Sequence, residues 1–539
     1  MSDMQSMQGR ILPDFDKSFR VEQLLESYRL EQPQRPALIA GAESRCWAES
    51  VERIYRMANG LMALGLEPGD SVAMLSRNSM AYSELFVAVI LSGGCAVPMQ
   101  TLITAEALKL MLEDCGARVL VVSADYEDTT KPFLASQDQL LEGGLLGFDF
   151  SSSFFAGLET FLASQAECPP AVELEPDAAF DIMYSSGTTG TPKGIVHSHR
   201  VRQGLAKGVI ERFMDSETKT LVTTPLYSNT TFTTWWPTIC AGGTLIIENK
   251  FDAERSLALI QEHEVNAAMF VPVQYDRIMR LQNFDDYELA SMQFKFCTSA
   301  PLRTGLKAEV IDRFPGELLE LYGLTEGGAG TLFVGSAAKE LGKLGSVGCA
   351  IPGCVLKIVD EQGNQLPQGE IGEIVGRSNN MCDGYHNQQQ ANEEMCWHDS
   401  DGLLYYRSGD VGYLDADGWL FLSDRKKDMI ISGGFNIYAT DLELVLLEHP
   451  AVHEVAVVAI PSQEWGETPM AVVVREDGED ISAESLRDWA NQRLGKAQRI
   501  SSLAYTDELP KSSIGKIQKK ELRATYSSLG RILPPAQNR

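Results

Sequence analysis

Residues 184–194 read YSSGTTGTPKG and lie between the apolar runs FDIMYS (180–185) and GIVHSH (194–199). Glycine, serine, threonine and proline form ordinary surface turns. Backbone N–H groups, hydroxyls and a lysine can also close around a phosphate. Both flanks are typical of strands, so the sequence predicts a loop that joins two strands and leaves these two roles open.

The segment differs from the Walker A phosphate loop, which needs Gly-x4-Gly-Lys-Ser/Thr leading into a helix. Gly187 and Lys193 have the required spacing, but Pro192 takes the place of the second glycine and Gly194 that of the hydroxyl. The predicted strand after the loop also leaves no helix for a phosphate to cap. The segment therefore does not match the Walker A motif.

Composition limits the partners. The chain has 539 residues with 44% hydrophobic and 22% charged residues, which predicts a folded protein of more than one domain. Its 74 acidic and 46 basic residues give a formal net charge of −28, which disfavours nucleic acid as a partner. The ten cysteines form no CxxC pair, so we expect reduced and mostly buried thiols.

The sequence shows no targeting or membrane-spanning signal. The start, MSDMQSMQGRILPDF, lacks a basic region followed by an apolar core, and no run of about 18 apolar residues occurs. We therefore expect a cytoplasmic protein without an integral membrane segment. Whether it forms a homodimer is left open.

Short apolar runs alternate with longer amphipathic stretches, which predicts an α/β fold. We expect a large N-terminal domain, 1–426, of mixed or parallel sheets covered by helices, including a β-rich subdomain at 345–426. A small, mobile α/β domain is expected at 427–539.

Four further segments follow in order: LYGLTEGG (321–328), YRSGDVG (406–412), SDRKKD (423–428) and LPKSSIGKIQKKELR (509–523). Together with YSSGTTGTPKG they resemble the motifs of the adenylate-forming superfamily, which includes acyl-CoA synthetases, luciferases and the adenylation domains of peptide synthetases. The resemblance covers nearly the whole chain. It implies ATP, Mg²⁺ and coenzyme A as cofactors.

The resemblance assigns roles to the first two motifs. Tyr322 would stack on adenine beside Gly323, Thr325 would touch phosphate, and Glu326 would hold Mg²⁺ and act in catalysis. A carboxylate suits a hard cation and an aromatic face suits a purine. The residues implied in the phosphate loop are Ser185, Ser186, Gly187, Thr188, Thr189, Gly190, Thr191 and Lys193, with Thr188 and Lys193 counted as catalytic.

Asp410 would bind the ribose hydroxyls, with Arg425 as a second ribose contact. If Asp417 and Gly418 form a two-residue hairpin turn, Asp410 and Arg425 lie directly opposite each other. A simple cross-strand salt bridge is the alternative. Lys427 matches the family's hinge position, although a lysine in a charged run is usually solvated surface.

Lys516 matches the catalytic lysine, which can neutralise charge on the α-phosphate and the attacking carboxylate. The alternative is a basic patch that opens a helix. Gly433 and Gly434, in ISGGFNIY (431–438), would let the pantetheine chain pass close to backbone.

The segments PLYSNTTFTTWWPTICAGG (225–243) and CTSAPL (297–302) match the family's acyl-binding regions. Ser228 replaces the usual histidine, and Ser299 a common glycine. The first segment has no charged residue, which disfavours an amino-acid substrate and favours a fatty, aryl or alicyclic acid. The aromatic residues could equally be core. The pocket residues implied are Tyr227, Ser228, Phe232, Trp235, Ser299 and Ala300.

The expected function is ATP-dependent activation of such an acid to an acyl-adenylate, followed by transfer to coenzyme A. One alternative keeps the adenylation but loads a carrier protein. Another is a catalytically silent nucleotide-binding relative, which would have no physical need for an intact set of Lys193, Glu326, Asp410, Arg425 and Lys516.

Overall fold

The structure, a computed structural model, describes residues 16–527 except 18, 135, 186–192, 433–434, 463–464, 477, 496–497 and 513–514. The helices are α1 Val21–Glu31, α2 Trp47–Ala63, α3 Met80–Leu91, α4 Ala105–Cys115, α5 Glu127–Leu134, α6 Leu158–Leu162, α7 His199–Phe213, α8 Asn229–Ala241, α9 Ala253–His263, α10 Pro272–Met279, α11 Thr304–Arg313, α12 Gly335–Glu340, α13 Gln389–Met395, α14 Ala439–Leu447, α15 Ala483–Asn491 and α16 Lys519–Tyr526. The strands are β1 Pro36–Ala40, β2 Glu43–Cys46, β3 Ser71–Leu75, β4 Cys95–Pro98, β5 Val119–Val122, β6 Leu145–Gly147, β7 Ala156–Gly157, β8 Ala179–Ser185, β9 Lys193–Ser198, β10 Lys219–Val222, β11 Thr244–Ile247, β12 Ala267–Phe270, β13 Phe294–Cys297, β14 Glu317–Gly323, β15 Gly330–Val334, β16 Cys349–Ala350, β17 Val355–Val359, β18 Gly372–Arg377, β19 Gly384–Tyr385, β20 Cys396–His398, β21 Leu404–Leu414, β22 Leu420–Arg425, β23 Ile430–Ser432, β24 Phe435–Ile437, β25 Val452–Ser462, β26 Gly466–Arg475 and β27 Ser502–Tyr505.

Two large sheets confirm the predicted α/β class. One runs β16-β15-β14-β13-β12-β10-β11-β1-β2 and is parallel from β14 to β1. The other runs β19-β9-β8-β4-β3-β5-β6-β7, with the antiparallel hairpin β8–β9 beside a parallel centre. Strands such as β3 are buried at every residue because helices cover both faces of a parallel sheet.

The main core lies between these sheets. Helix α3 is buried at every position but Ala81, which is the pattern of a helix surrounded by protein. It packs in one apolar cluster with α2, α8 and inward side chains of β3 and β11, such as Val72 and Leu245. This packing fixes the ends of β8, β9 and α8, where the motif residues lie.

The predicted β-rich segment after residue 345 contains a sheet of order β17-β18-β21-β20, with β22 paired to β21. Asp410 does pair with Arg425, but the predicted two-residue turn is wrong. The turn is longer, because the Asp415 N–H donates to the carbonyl of Trp419. A bulge between Val411 and Gly412 shifts the register back, so the pairing arises from the longer turn and the bulge together.

The chain contacts form two compact units, Met1–Leu356 with Val375–Arg407, and Lys357–Ile374 with Ser408–Arg539. The second unit has a sheet of order β24-β23-β26-β25 with β27 on β26, over α14 and α15. The α/β character predicted for 427–539 is confirmed, since helix α14 is followed by strand β25. The boundary at 426/427 stays a prediction.

All ten cysteines are free thiols, but only half of them are buried and Cys168 is exposed, so the expected burial holds for half of the set. Among the described residues, no helix combines the length and the apolar character needed to cross a membrane.

Candidate active site

The hairpin β8–β9 presents the glycine-rich segment. Ser185 and Lys193 are paired at its open end, so the strand–loop–strand prediction is confirmed on both flanks. Ser186, Gly187, Thr188, Thr189, Gly190 and Thr191 lie outside the described residues. Sheet pairing therefore holds the backbone of Lys193, the first residue of β9, where the loop ends.

A second turn, which we call the nucleotide turn (residues 324–329), joins β14 and β15. Tyr322 and Gly323 end β14, where they pair with Thr331 and Gly330. Gly327 has φ +72°, and a Cβ there would meet the carbonyl oxygen of Asn380 at 1.9 Å. Only glycine fits this approach, so the doubled glycine of LYGLTEGG serves the tight packing of the turn.

Glu326 and Lys193 converge on Tyr385. The Tyr385 hydroxyl donates to Glu326 Oε1 at 2.7 Å, and Lys193 Nζ lies 4.8 Å from the centre of the Tyr385 ring. Burial, and then the Glu326 carboxylate, raise the pKa of Tyr385 well above its ordinary value, so the hydroxyl keeps its proton and donates. One phenol thus contacts the carboxylate expected to hold a cation and the ammonium expected to hold phosphate.

The acyl-binding segment begins at the N-terminus of α8. Ser228 caps the helix, its Oγ accepting from the Thr230 N–H at 3.2 Å, and the Tyr227 hydroxyl accepts from Thr101 at 3.2 Å. Thr230 also shares a 2.5 Å hydrogen bond with Ser299, which precedes Ala300. The two predicted acyl segments therefore meet through hydroxyl groups.

Ser299 adopts φ +84°, in the left-handed region that favours glycine. The resemblance noted in the sequence analysis likewise implies glycine as the common residue at this position. A non-glycine residue held in this region stores strain of about 1–3 kcal/mol.

Phe232 and Trp235 pack within the core, and their assignment to the acyl pocket stays a prediction. Both are about 1% exposed, and Trp235 packs edge-on against Phe86 while its Nε1–H donates to Ser83 at 2.8 Å. Their apolar surface and the indole donor are satisfied by protein atoms. Of the two readings of these aromatic residues, the structure favours core packing.

A buried ionic cluster lies beside this segment, although residues 225–243 carry no charge. Arg202 lies 4.0 Å from the Phe232 ring and makes two hydrogen bonds, at 2.7 and 2.9 Å, with the Asp181 carboxylate. Burial alone would raise the pKa of Asp181, but Arg202 and His197 hold it below its ordinary value. The positive charge beside α8 is therefore neutralised within the protein.

In the second unit, Asp410 and Arg425 form an ion pair, with Nε 3.5 Å from Oδ1. Asp410 is buried, with only 9% of its surface exposed. The cross-strand salt bridge considered as an alternative is present. The ribose-binding role stays a prediction.

The basic residues around Lys516 divide into two groups. Lys519 pairs with Glu443 at 2.7 Å and Arg523 pairs with Asp428, so both hold α16 within the second unit. Lys516 lies in a turn where its N–H donates to Ser512 at 3.1 Å and Gly515 adopts φ +74°. The catalytic role of Lys516 and the hinge role of Lys427 stay predictions, and Gly433 and Gly434 lie outside the described residues.

Sequence reasoning missed Tyr385, Asp181, His197 and Arg202. Tyr385 sits in CDGYHN, a short strand with no chemical signature, and meets Glu326 only because β19 pairs with β9. His197 and Asp181 could have been found, because they are cross-strand neighbours of the predicted hairpin. Tyr322, Gly323, Thr325, Glu326 and Lys193 do lie in the same unit as the acyl segments.

Residues 25–386 match the model of the AMP-binding enzyme family, and residues 441–516 match that of the AMP-binding enzyme C-terminal domain. A feruloyl-CoA synthase of an Amycolatopsis species is 32% identical over 496 residues, covering 92% of this chain and 96% of the relative. The long-chain-fatty-acid–CoA ligase FadD13 of Mycobacterium tuberculosis is 32% identical over 478 residues, covering 88% and 91%. The crystal structure of ATP-bound MatB from Rhodopseudomonas palustris superposes with a TM-score of 0.85 at 28% identity, covering 95% of this chain and 99% of that one.

Proposed function

Because the chain belongs to the AMP-binding enzyme family, in its acyl-CoA synthetase branch, we propose that it is an AMP-forming acid:CoA ligase for an acid with an uncharged, largely apolar tail. A carboxylate oxygen of the acid attacks the α-phosphorus of ATP, and pyrophosphate leaves. The thiol of coenzyme A then attacks the carbonyl of the resulting anhydride, and AMP leaves.

The observation that carries this proposal is the convergence of Lys193 and Glu326 on Tyr385. A magnesium-bound triphosphate needs a positive charge beside the phosphates and a negative charge beside the cation. Lys193 can supply the first, and the Glu326 carboxylate, which is hydrogen-bonded at one oxygen only by Tyr385, can supply the second. Such a reaction needs orientation and charge stabilisation rather than a nucleophilic side chain. The nucleotide turn and the hairpin β8–β9 supply that orientation.

Glu326 is the residue that fits Mg²⁺. Magnesium prefers oxygen ligands and usually takes one or two carboxylates plus substrate phosphates. Within the described part of the chain, no three His, Cys, Asp or Glu side chains gather as a metal site, so a single carboxylate suits a cation that arrives with ATP. When bound, the cation would neutralise the charge on the phosphate oxygens.

The acyl pocket supports an uncharged acid. Tyr227, Ser228, Ser299 and Ala300 offer hydroxyls and apolar surface, and the nearby Arg202 is neutralised by Asp181. The Asp181 carboxylate is already paired with Arg202 and His197 and so is not free for an ammonium group, and an unpaired buried charge costs several kcal/mol. Two relatives support this class, because one is named a feruloyl-CoA synthase, after an aryl acid, and the other a long-chain-fatty-acid–CoA ligase, after aliphatic acids.

The test is an incubation with ATP, Mg²⁺, coenzyme A and a panel of straight-chain, aryl and alicyclic acids, following AMP and thioester. We expect both products in equal amounts with at least one acid. AMP without thioester would refute coenzyme A as acceptor and favour a carrier protein. Neither product with any acid would favour a silent relative.

A charge-removing variant sharpens the test. Glu326→Gln keeps the size of the side chain and should slow adenylation by at least about tenfold, because the carboxylate charge is lost. Glu340→Gln, on the exposed end of α12, is the matched control and should leave the rate unchanged.

A further inference from the structure

A buried polar cluster lies under the hairpin β8–β9. It consists of Asp181, His197 and Arg202, which are 0%, 2% and 2% exposed. Asp181 and His197 face each other across the hairpin, with His197 Nδ1 2.7 Å from Asp181 Oδ1. Arg202 closes the cluster from α7 through its two hydrogen bonds to the same carboxylate.

One end of the cluster reaches the nucleotide turn. His197 Nε2 lies 2.8 Å from the carbonyl oxygen of Thr325, the residue before Glu326. Because a carbonyl oxygen only accepts hydrogen bonds, Nε2 must carry the proton and donate it. The imidazole ring is thus held between the Asp181 carboxylate and the backbone of the turn.

The other end reaches the acyl segment. Arg202 Nη1 donates to Asn229 Oδ1 at 2.8 Å. Asn229 is the first residue of α8 and directly follows Ser228, the helix cap. The three guanidinium nitrogens of Arg202 therefore all have partners: Nε and Nη2 bond to Asp181, Nη1 bonds to Asn229, and Nη2 also lies 3.1 Å from His197 Nδ1.

A buried charge cluster is a poor source of stability, since well-packed apolar side chains of the same volume often do as well or better. Such a cluster does, however, hold its side chains in one arrangement. A group that left its partners would lose its hydrogen bonds in a buried, low-dielectric environment. Here one end of the cluster contacts the backbone beside Glu326, and the other end contacts the first turn of α8. These are the two places where ATP and the acid must be aligned.

We propose that the Asp181–His197–Arg202 cluster positions the two substrates, with His197 setting the nucleotide turn and Arg202 setting the start of the acyl helix. This inference rests on the proposed function, which assigns those two segments to ATP and to the acid. His197 and Arg202 are positioning residues that act through Thr325 and Asn229.

The experiment compares one variant at each end of the cluster. His197→Leu removes the donor to Thr325 and should raise the KM for ATP about tenfold, the value of one hydrogen bond in a buried site, while the KM for the acid stays within about twofold. Asn229→Ala should do the reverse, raising the KM for the acid about fivefold with little change for ATP. His197→Gln, whose amide can still donate to Thr325, should recover most of the affinity for ATP.

Two further measurements separate positioning from folding. Calorimetric titration with Mg²⁺ and a non-hydrolysable ATP analogue should show the same loss for His197→Leu without any turnover. His199→Gln is the matched control, because this neighbouring buried histidine contacts Phe180 and not the nucleotide turn. It should leave both KM values unchanged.

Equal changes in both KM values, or an unchanged affinity for ATP in His197→Leu, would overturn the inference. Should His197→Leu fail to fold, Asn229→Ala still decides it, since this variant removes no charge and should raise the KM for the acid but not that for ATP. A wild-type chain that forms no AMP would instead defeat the proposed function, and the calorimetric affinities alone would then decide the inference.

Discussion

Replacing Tyr385 by phenylalanine removes one hydroxyl from the centre of the candidate site. The lost bond is the 2.7 Å donation to Glu326, while the ring under Lys193 is retained. A hydrogen bond to a charged group contributes about 1.5–3 kcal/mol, and water can replace part of it at the half-buried Glu326, which leaves about 1–2 kcal/mol. We expect the Mg²⁺ concentration at half-maximal pyrophosphate release to rise on the order of 5- to 30-fold.

The assay is a magnesium titration of pyrophosphate release at saturating acid. Tyr385→Leu should be weaker again, by about a further 0.5–1 kcal/mol, because the cation–π contact of Lys193 is lost as well. Tyr55→Phe is the matched control, since it removes a tyrosine–carboxylate bond of 3.0 Å to Glu26 far from the site. An unchanged magnesium dependence in Tyr385→Phe, or equal effects of phenylalanine and leucine, would refute the reasoning.

Three further outcomes are expected. Burial lowers the pKa of His199 to about 4 from about 6.5, so the unfolded state binds more protons than the folded state between these pH values. The free energy of unfolding should therefore fall by up to about 3 kcal/mol as the pH drops through this window. His199→Leu should remove this share of the pH dependence, as measured by urea unfolding. Ser299→Gly should be more stable to urea than Ser299→Ala by about 1 kcal/mol, since both lose the bond to Thr230 but only glycine releases the strain at φ +84°, and equal midpoints would contradict this. Lys516→Ala should cripple adenylate formation yet largely spare thioester formation from a supplied acyl-adenylate, whereas equal loss in both half-reactions would rule out the assigned role.

Much of the fold follows from local pattern. Short apolar runs such as SVAML and TLII predicted parallel strands because only strands covered on both faces can be apolar throughout. The hairpin around YSSGTTGTPKG followed from its two apolar flanks. The five motifs and their order indicated the family. The hydrophobic periodicity alone indicated only the α/β fold class.

The register of β21 and β22 shows where such reasoning fails. Asp410 and Arg425 were expected to be opposite because of a two-residue turn, but a longer turn and a compensating bulge produce the same pairing. Turn length and bulges depend on packing against neighbouring strands, which the local sequence does not encode.

The candidate site was predictable only where a motif carried it. Glu326 and Lys193 stood in recognisable segments, whereas Tyr385 reaches them through the pairing of β19 with β9. The aromatic residues of α8 could be pocket or core from sequence alone, since both environments favour them. Only the contacts of Trp235 with Phe86 and Ser83 distinguish the two.

The central claim is that the acid is activated by attack of its carboxylate on the α-phosphorus of ATP. An acid labelled with ¹⁸O in both carboxylate oxygens tests this directly, with mass spectrometry of the nucleotide and phosphate products after one turnover. The claim predicts one ¹⁸O atom in AMP and none in pyrophosphate. Label in inorganic phosphate with ADP as co-product, or unlabelled AMP formed with the thioester, would contradict it.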